Sequence, residues 1–127
     1  MKVLVVGASG MLGQAFLSEF KKKDVSVLGL SRRGPDIFYD IINEYRLTTI
    51  IKDSCPDLVV NCAGIVSLKK CEDDPLSAYK VNSSAVQEIV EGCSLIKAGL
   101  IHISTDHYYT GDGQKLHSES DKVTLLN

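Results

Sequence analysis

Short apolar runs alternate with longer segments of mixed polarity along the chain. Four runs rich in β-branched residues predict strands that are covered on both faces, at residues 2–6, 25–30, 57–62 and 100–104. Three intervening segments carry apolar residues at helical spacing, at residues 11–22, 43–52 and 75–93. Strands that alternate with helices predict an α/β fold, a doubly wound parallel sheet with right-handed crossovers.

The third helical segment has the clearest start signals. Asp74 suits the N-cap position and Pro75 suits the first helical position. The apolar face of this helix is expected to hold Leu76, Val81, Ala85, Ile89 and Val90.

The chain changes character after its fourth predicted strand. From Asp106 to about Lys122 the residues are polar and predict a loop. The last residues, VTLLN at positions 123–127, form an apolar stretch with nothing after it to bury it. We therefore expect the 127 residues to be an incomplete domain.

A glycine-rich turn joins the first predicted strand to the first predicted helix. Gly7, Gly10 and Gly13 have the spacing G-x-x-G-x-x-G. Glycine permits a tight turn and a close backbone approach to a pyrophosphate, and the following helix N-terminus presents free N–H groups. This context predicts dinucleotide binding. An ordinary glycine-rich turn is the alternative.

The second predicted strand ends in a group of hydrogen-bond donors. An Asp or Glu at this place would bind the ribose hydroxyls of NAD, but this chain has Ser31, Arg32 and Arg33. These donors suit a 2′-phosphate, so the expected cofactor is NADP(H), with NAD(H) as the open alternative. The arginines could also be solvated in a loop without touching a ligand.

Composition limits the other classes of function. The chain has 14 basic and 16 acidic side chains and a net charge of −2, so no basic surface suggests nucleic acid or an anionic membrane. The first apolar run is too short for a signal peptide or a membrane span. The four cysteines show no C-x-x-C pair, which predicts free thiols, no metal site and a cytoplasmic protein.

Five segments of the chain match a known family in the family's own order. They are GASGMLGQ (7–14), YDI (39–41), PDLVVNCAG (56–64), CEDDPLSAYKVN (71–82) and HISTD (102–106). With them the chain resembles the extended short-chain dehydrogenase/reductase superfamily, and within it the dTDP-4-dehydrorhamnose reductase group. The resemblance implies a two-domain enzyme that transfers hydride from a nicotinamide cofactor to the 4-keto group of a nucleotide-activated sugar. Residues 1–127 would form its Rossmann-type NAD(P)-binding domain.

The resemblance also implies roles for individual residues. Thr105 matches the hydroxyl that bonds the reacting oxygen of the substrate, and Asn82 matches an active-site asparagine that can join a proton relay. Together with the donors after the second strand, the expected cofactor-binding residues are Gly7, Ser9, Gly10, Met11, Leu12, Gly13, Ser31, Arg32, Arg33, Asp40, Ile41, Cys62, Ala63, Gly64 and Ile65.

Several of these positions have plainer interpretations. Asp40 could cap or solvate a turn, and Cys62 could be a small buried hydrophobic residue. Asn82 could be a satisfied amide with no chemical role. His102 lies inside a predicted strand and is expected to be a satisfied core histidine.

The resemblance further implies a proton donor, a Tyr placed four residues before a Lys. None of the five tyrosines has a Lys at that spacing, so we expect the donor beyond residue 127 and no turnover by these residues alone.

Two alternatives to the reductase function stay open. One is a non-catalytic regulatory subunit that binds a dinucleotide, like the β subunit of methionine adenosyltransferase, and the other is a sugar-nucleotide epimerase or dehydratase. The expected partner is a nucleotide-sugar substrate, and a homodimer is an open alternative.

Overall fold

The structure is a computed structural model that describes residues 1–33, 36–42, 44–105 and 116–123. Its strands are β1 (Lys2–Val6), β2 (Ser26–Ser31), β3 (Ile37–Phe38), β4 (Leu58–Asn61) and β5 (Gly99–His102). Its helices are α1 (Met11–Lys22), α2 (Leu47–Ser54), α3 (Leu68–Asp73), α4 (Pro75–Tyr79), a π-helical segment (Lys80–Ser84) and α5 (Ala85–Ile96). In this described part, no helix has the length and apolar character that crossing a membrane requires. Most of the predicted loop (106–115) and the end of the apolar stretch (124–127) lie outside the described residues.

The five strands form one parallel sheet in the order β3-β2-β1-β4-β5. β1 is central, because Val5 pairs with Gly29 of β2 on one side and with Val60 of β4 on the other. The strand order runs outward from β1 in both directions, which places a topological switch point between β1 and β4. This topology confirms the predicted doubly wound parallel sheet.

Alternate residues of β1 supply the cores on the two faces of the sheet. Val3 and Val5 belong to the core under α1, together with Leu17. Phe16 and Phe20 of α1 pack against this core and stack on each other, with ring centroids 5.8 Å apart. α1 has its predicted bounds because its apolar side chains meet the sheet at helical spacing.

The opposite face of the sheet is covered by α2 and α5. Leu4 and Val6 of β1 belong to this second core together with Ile51 of α2 and Ile89 of α5, and all four are fully buried. α2 and α5 also pack closely on each other at Gly92 of α5, where a Cβ would lie 3.1 Å from Ile51. Helices therefore cover both faces of the sheet, as a parallel sheet requires.

The predicted third helix starts where its signals indicate, but it is not regular. Asp74 accepts a hydrogen bond from the Ser77 N–H at 3.1 Å, and Pro75 opens α4. The hydrogen bonds from Ser77 also lower the pKa of the Asp74 carboxyl. The π-helical segment then interrupts the α-helical pattern, since the Ala85 N–H donates to the Lys80 carbonyl.

For two residues of the expected apolar face of this helix, the prediction of burial is wrong. Leu76 and Val90 are 64% and 45% exposed, whereas Val81 and Ile89 are buried as expected. Neighbouring residues on a helix point ~100° apart, so Val90 lies beside the face that Ile89 occupies. Leu76 precedes the π-helical segment, and it lies two positions from the buried Ala78, on another side of α4.

α2 begins at Leu47 rather than at residue 43, which lies outside the described residues. The chain before it forms a hydrogen-bonded turn. The Tyr39 hydroxyl donates to the Glu44 carbonyl at 2.8 Å and accepts the Arg46 N–H at 3.0 Å. Such side-chain bonds to the backbone compete with helix formation. α3 and β3 were not predicted, because elements this short show no clear periodicity.

β5 lies at one edge of the described sheet, beside β4. The expectation of a core histidine at His102 is wrong, because this residue is exposed. Its Nδ1 lies 3.1 Å from the Asn61 side-chain nitrogen on β4, so the ring still bonds the neighbouring strand. Ile101 is also 46% exposed, although its run predicted a strand covered on both faces. Periodicity alone does not distinguish an edge strand from a central one.

We expect Glu88→Ala to destabilise the fold by about 1–2 kcal/mol. The Glu88 carboxylate on α5 accepts the Leu47 N–H at 2.9 Å, and so caps the first turn of α2 from another element. Urea unfolding measures the loss. Glu91→Ala, at an exposed position of α5, is the matched control and should cost less than about 0.5 kcal/mol. Equal losses of unfolding free energy in the two variants would contradict the role of Glu88 as a cap of α2.

Candidate functional site

A cavity of about 300 Å³ opens at the carboxyl ends of β1, β2 and β4. The switch point between β1 and β4 lies at this edge, where open α/β sheets bind their ligands. The lining residues are Gly7, Ser9, Gly10, Leu30, Ser31, Arg32, Tyr39, Asp40, Ile41, Ile42, Cys62, Ala63, Gly64, Ile65 and Val81. Eleven of the fifteen expected cofactor-binding residues are among them, and their binding role stays a prediction.

The turn after β1 depends on Gly7. Its φ is +80°, a conformation that L side chains rarely adopt. A Cβ at this position would lie 2.7 Å from the Ala63 nitrogen, beyond the end of β4. The Gly7 and Ala8 N–H groups donate to the Leu30 carbonyl at 2.9 and 3.1 Å. The turn is therefore packed between the ends of β2 and β4.

α1 begins beside the cavity, directly after Gly10. Gly10 is the N-cap and makes no side-chain hydrogen bond, while its carbonyl accepts the Gln14 N–H at 2.9 Å. The N–H groups of Met11, Leu12 and Gly13 therefore have no partner within the helix. These three expected residues lie outside the cavity lining, but a helix N-terminus of this kind attracts anions.

The structure separates the three donors at the end of β2, Ser31, Arg32 and Arg33. Ser31 is buried, and its Oγ has no hydrogen-bond partner among the described residues. Arg32 and Arg33 are both exposed, but only Arg32 is among the residues that line the cavity. The nearby Asp36 carboxylate accepts the Gly29 N–H at 2.7 Å. Ser31, with a hydroxyl side chain, and Arg32, with a cationic one, thus lie next to each other in the cavity lining.

Residues 39–42 form one wall of the cavity, here named the first wall. Asp40 Oδ1 accepts the Ile42 N–H at 3.0 Å, so Asp40 shapes this turn, as its plainer interpretation proposed. Tyr39 is almost fully buried, and burial raises the pKa of its phenol, which therefore stays protonated at neutral pH. Tyr39 and Ile42 were missed as lining residues, although Tyr39 begins the matched YDI segment and Ile42 follows it.

Residues 62–65 form another wall, here named the second wall. It continues from β4, where Asn61 Oδ1 accepts the Ala63 N–H at 3.0 Å. Burial raises the pKa of the Cys62 thiol, which therefore stays protonated at neutral pH. Cys62 is half-buried: it packs against the core under α1 and also lines the cavity, where it contributes a small, weakly polar surface.

Asn82 lies on the π-helical segment and bonds the second wall instead of lining the cavity. Its Oδ1 accepts the Ile65 N–H at 2.8 Å, and its Nδ2 donates to the Ile65 carbonyl at 3.0 Å. The Cys71 thiol donates to the same carbonyl at 3.4 Å. The Asn82 amide is therefore satisfied, although the residue is exposed and not part of the core. Its neighbour Val81 lines the cavity and was missed, since it was expected only as part of an apolar face.

Thr105 follows β5 at the same edge of the sheet as the cavity. It is exposed and lies outside the cavity lining. The carboxyl ends of parallel strands meet at one edge, so Thr105 and the cavity lie on the same side of the sheet. Residues 106–115, which follow Thr105 in the chain, lie outside the described residues. Within the described ranges, no group of three or more side chains forms a metal site.

A sheet wound in both directions from β1, with a glycine turn at its switch point, defines the Rossmann-type class of α/β fold. The sequence profile of one family, described as the RmlD substrate binding domain, matches residues 1–127, which is the whole chain. The chain belongs to this family.

Individual relatives agree with this assignment. A dTDP-4-dehydrorhamnose reductase from Mycolicibacterium smegmatis is 32% identical over 123 residues, which are 97% of this chain and 36% of that protein. The structure of a hypothetical dTDP-4-dehydrorhamnose reductase from Sulfolobus tokodaii has a TM-score of 0.87 at 31% identity, and the match covers 100% of this chain and 47% of that one. A dTDP-4-dehydrorhamnose reductase from Bacillus anthracis, solved in complex with NADP, has a TM-score of 0.76 and covers 87% of this chain and 38% of that one. It is 23% identical and bears on the fold alone. The chain spans less than half the length of each of these relatives.

We expect Gly7→Ala to lower the free energy of unfolding by about 2–4 kcal/mol, because the new Cβ meets Ala63 and alanine disfavours a positive φ. Gly64→Ala is the matched control in the same cavity. Its Cβ would meet Asn82 Oδ1 at 3.7 Å, an ordinary contact, so the change should stay within about 0.5 kcal/mol. Thermal and urea unfolding of both variants measure the difference. Equal stabilities would show that Gly7 does not constrain the turn.

Proposed function

We propose that this cavity binds a nicotinamide dinucleotide and that the chain is the cofactor-binding part of a sugar-nucleotide reductase. The observation that carries the proposal is the glycine turn, packed against β4 at the switch point with α1 starting beside it. In folds of this class, such a turn and helix N-terminus take the pyrophosphate of a dinucleotide.

The residues present fit such a cofactor. The N–H groups of Met11, Leu12 and Gly13 lack partners within α1, which suits a pyrophosphate. The buried Ser31 hydroxyl lacks a partner among the described residues, and leaving such a group unsatisfied costs about 1–3 kcal/mol. A ligand oxygen at the end of β2 would satisfy it.

Arg32 favours NADP(H) over NAD(H) in this proposal. It lines the cavity beside Ser31, and the planar guanidinium of arginine pairs well with a phosphate. The nearest acidic side chain after β2, Asp36, is already bonded to the Gly29 N–H. The end of β2 therefore offers a cationic partner for a 2′-phosphate, while the Asp36 carboxylate bonds the backbone of β2 and lies outside the cavity lining.

The names of the relatives support a nucleotide-activated keto sugar as the substrate of the whole protein. When bound, reduced nicotinamide supplies the hydride for a carbonyl carbon. Thr105 would donate a hydrogen bond to the carbonyl oxygen, and Asn82 would hold Ile65 in place through its two backbone bonds. The 127 residues contain no Tyr-x-x-x-Lys pair, so the proposal assigns them no proton donor.

Calorimetric titration of the chain with NADPH and with NADH tests the proposal. We expect both to bind, with NADPH tighter at low salt and its advantage shrinking as salt screens the charge contribution. Absence of binding by both at millimolar concentration, with an intact circular dichroism spectrum, would contradict the proposal.

We expect Arg32→Met to weaken NADPH binding about tenfold or more and to change NADH binding less than about twofold. The reason is that the lost guanidinium would contact only the 2′-phosphate. Arg33→Met removes the same charge outside the cavity and is the matched control, with a smaller effect expected. If Arg32→Met weakened NADPH and NADH equally, the 2′-phosphate assignment would be wrong.

A further inference from the structure

Three consecutive residues of the π-helical segment connect the two walls of the cavity. The Lys80 Nζ donates to the Ile42 carbonyl of the first wall at 3.1 Å. Val81 lines the cavity itself. Asn82 makes two hydrogen bonds to Ile65 of the second wall, at 2.8 and 3.0 Å. The two walls, which are distant in sequence, are thus held by one short stretch of chain.

The geometry of the helix explains how neighbouring residues reach different walls. Side chains two positions apart on a helix point away from each other, so Lys80 and Asn82 extend to different sides. The bond from the Ala85 N–H to the Lys80 carbonyl widens this turn relative to an α-helix. Such π turns occur frequently at functional sites, because they place side chains where a regular helix does not.

The surroundings of Lys80 indicate a specific contact. Lys80 is half-buried, and its ammonium lies 5.9 Å from the centroid of the Tyr45 ring, within cation–π range. Its other partner is the Ile42 carbonyl, which belongs to the turn shaped by Asp40. In the described part of the chain, its ammonium forms no ion pair with a carboxylate. The Lys80 ammonium is therefore held between the Ile42 carbonyl and the Tyr45 ring, and it connects the two.

We propose that Lys80 is a positioning residue for the dinucleotide site. Its ammonium fixes the first wall to the π-helical segment, while Asn82 fixes the second wall to the same segment. The segment therefore sets the separation of the two walls. This inference rests on the proposed dinucleotide function. The first wall follows β2 and β3, on the side where this fold binds the adenosine half of a dinucleotide, so Lys80 acts on that half.

The test is a comparison of Lys80→Met with the unchanged chain. Methionine keeps an apolar stem of similar length and loses the charged donor. We expect NADPH, NADH and AMP to bind on the order of threefold to tenfold more weakly, because all three contain the adenosine half. Binding of nicotinamide mononucleotide should not change. Lys80→Arg retains a donor and a cation for the ring, and should restore most of the affinity.

Controls separate this role from a general effect on charge or stability. Lys69→Met removes an exposed lysine of α3 and should leave all four affinities unchanged. Tyr45→Leu removes the ring partner without touching the π-helical segment, and should weaken AMP binding in the same direction by a smaller factor. Amide hydrogen exchange without ligand should become faster in Lys80→Met at Ile42 of the first wall and at Glu44 shortly after it, because both amides bond to Asp40.

Each outcome decides between the two proposals. If the unchanged chain binds no dinucleotide, both the proposed function and the role of Lys80 fail. If it binds NADPH but Lys80→Met binds NADPH and AMP equally well, only the role of Lys80 fails. The same conclusion follows if Lys80→Met weakens AMP and nicotinamide mononucleotide equally, or if Lys80→Arg restores nothing.

Discussion

The close approach of the chain after β4 to the turn after β1 is the constraint on which the site depends. A Cβ at Gly7 would lie 2.7 Å from the Ala63 nitrogen, so the two segments pack at this distance only around a glycine. The same turn bonds to β2 through the Leu30 carbonyl. It therefore fixes three strand ends relative to one another and directs the start of α1 toward the cavity. The two buried cores then hold these elements in place.

Beyond the strand ends, hydrogen bonds from side chains, and no longer those of the sheet, order the backbone. The ladder hydrogen bonds stop there, so a loop amide or carbonyl that is shielded from water needs another partner. Asn82 bonds both the N–H and the carbonyl of Ile65, and Asp40 accepts the N–H of Ile42. Polar residues near the cavity thus act mainly on the backbone of its walls. Among the residues that line the cavity, those with polar or charged side chains are Ser9, Ser31, Arg32, Tyr39 and Asp40, with the weakly polar thiol of Cys62. This arrangement suits a ligand that is recognised largely by backbone groups and one helix N-terminus.

Much of this arrangement could be predicted from the sequence, because the strand–helix alternation and the glycine spacing are local signals. Once a parallel sheet is predicted, its carboxyl ends must share an edge, which brings most of the expected residues together. The remaining features depend on contacts in space. The exposure of His102 depends on which strand lies beside β5, and the π-helical segment has no signature in apolar spacing. The hydrogen bonds between Asn82 and Ile65 connect the π-helical segment to the loop after β4, so they could not be predicted from either residue alone.

The central claim is that a dinucleotide binds at the glycine turn between β1 and β4. Titration of the isotope-labelled chain with NADPH, followed by amide chemical shifts, tests it most directly. The account predicts the largest shifts in the first turn of α1, from Met11 to Gly13, with further shifts in the two walls at residues 39–42 and 62–65. Shifts concentrated elsewhere, for example at the amino ends of the strands, would contradict it, as would an unchanged spectrum at saturating NADPH.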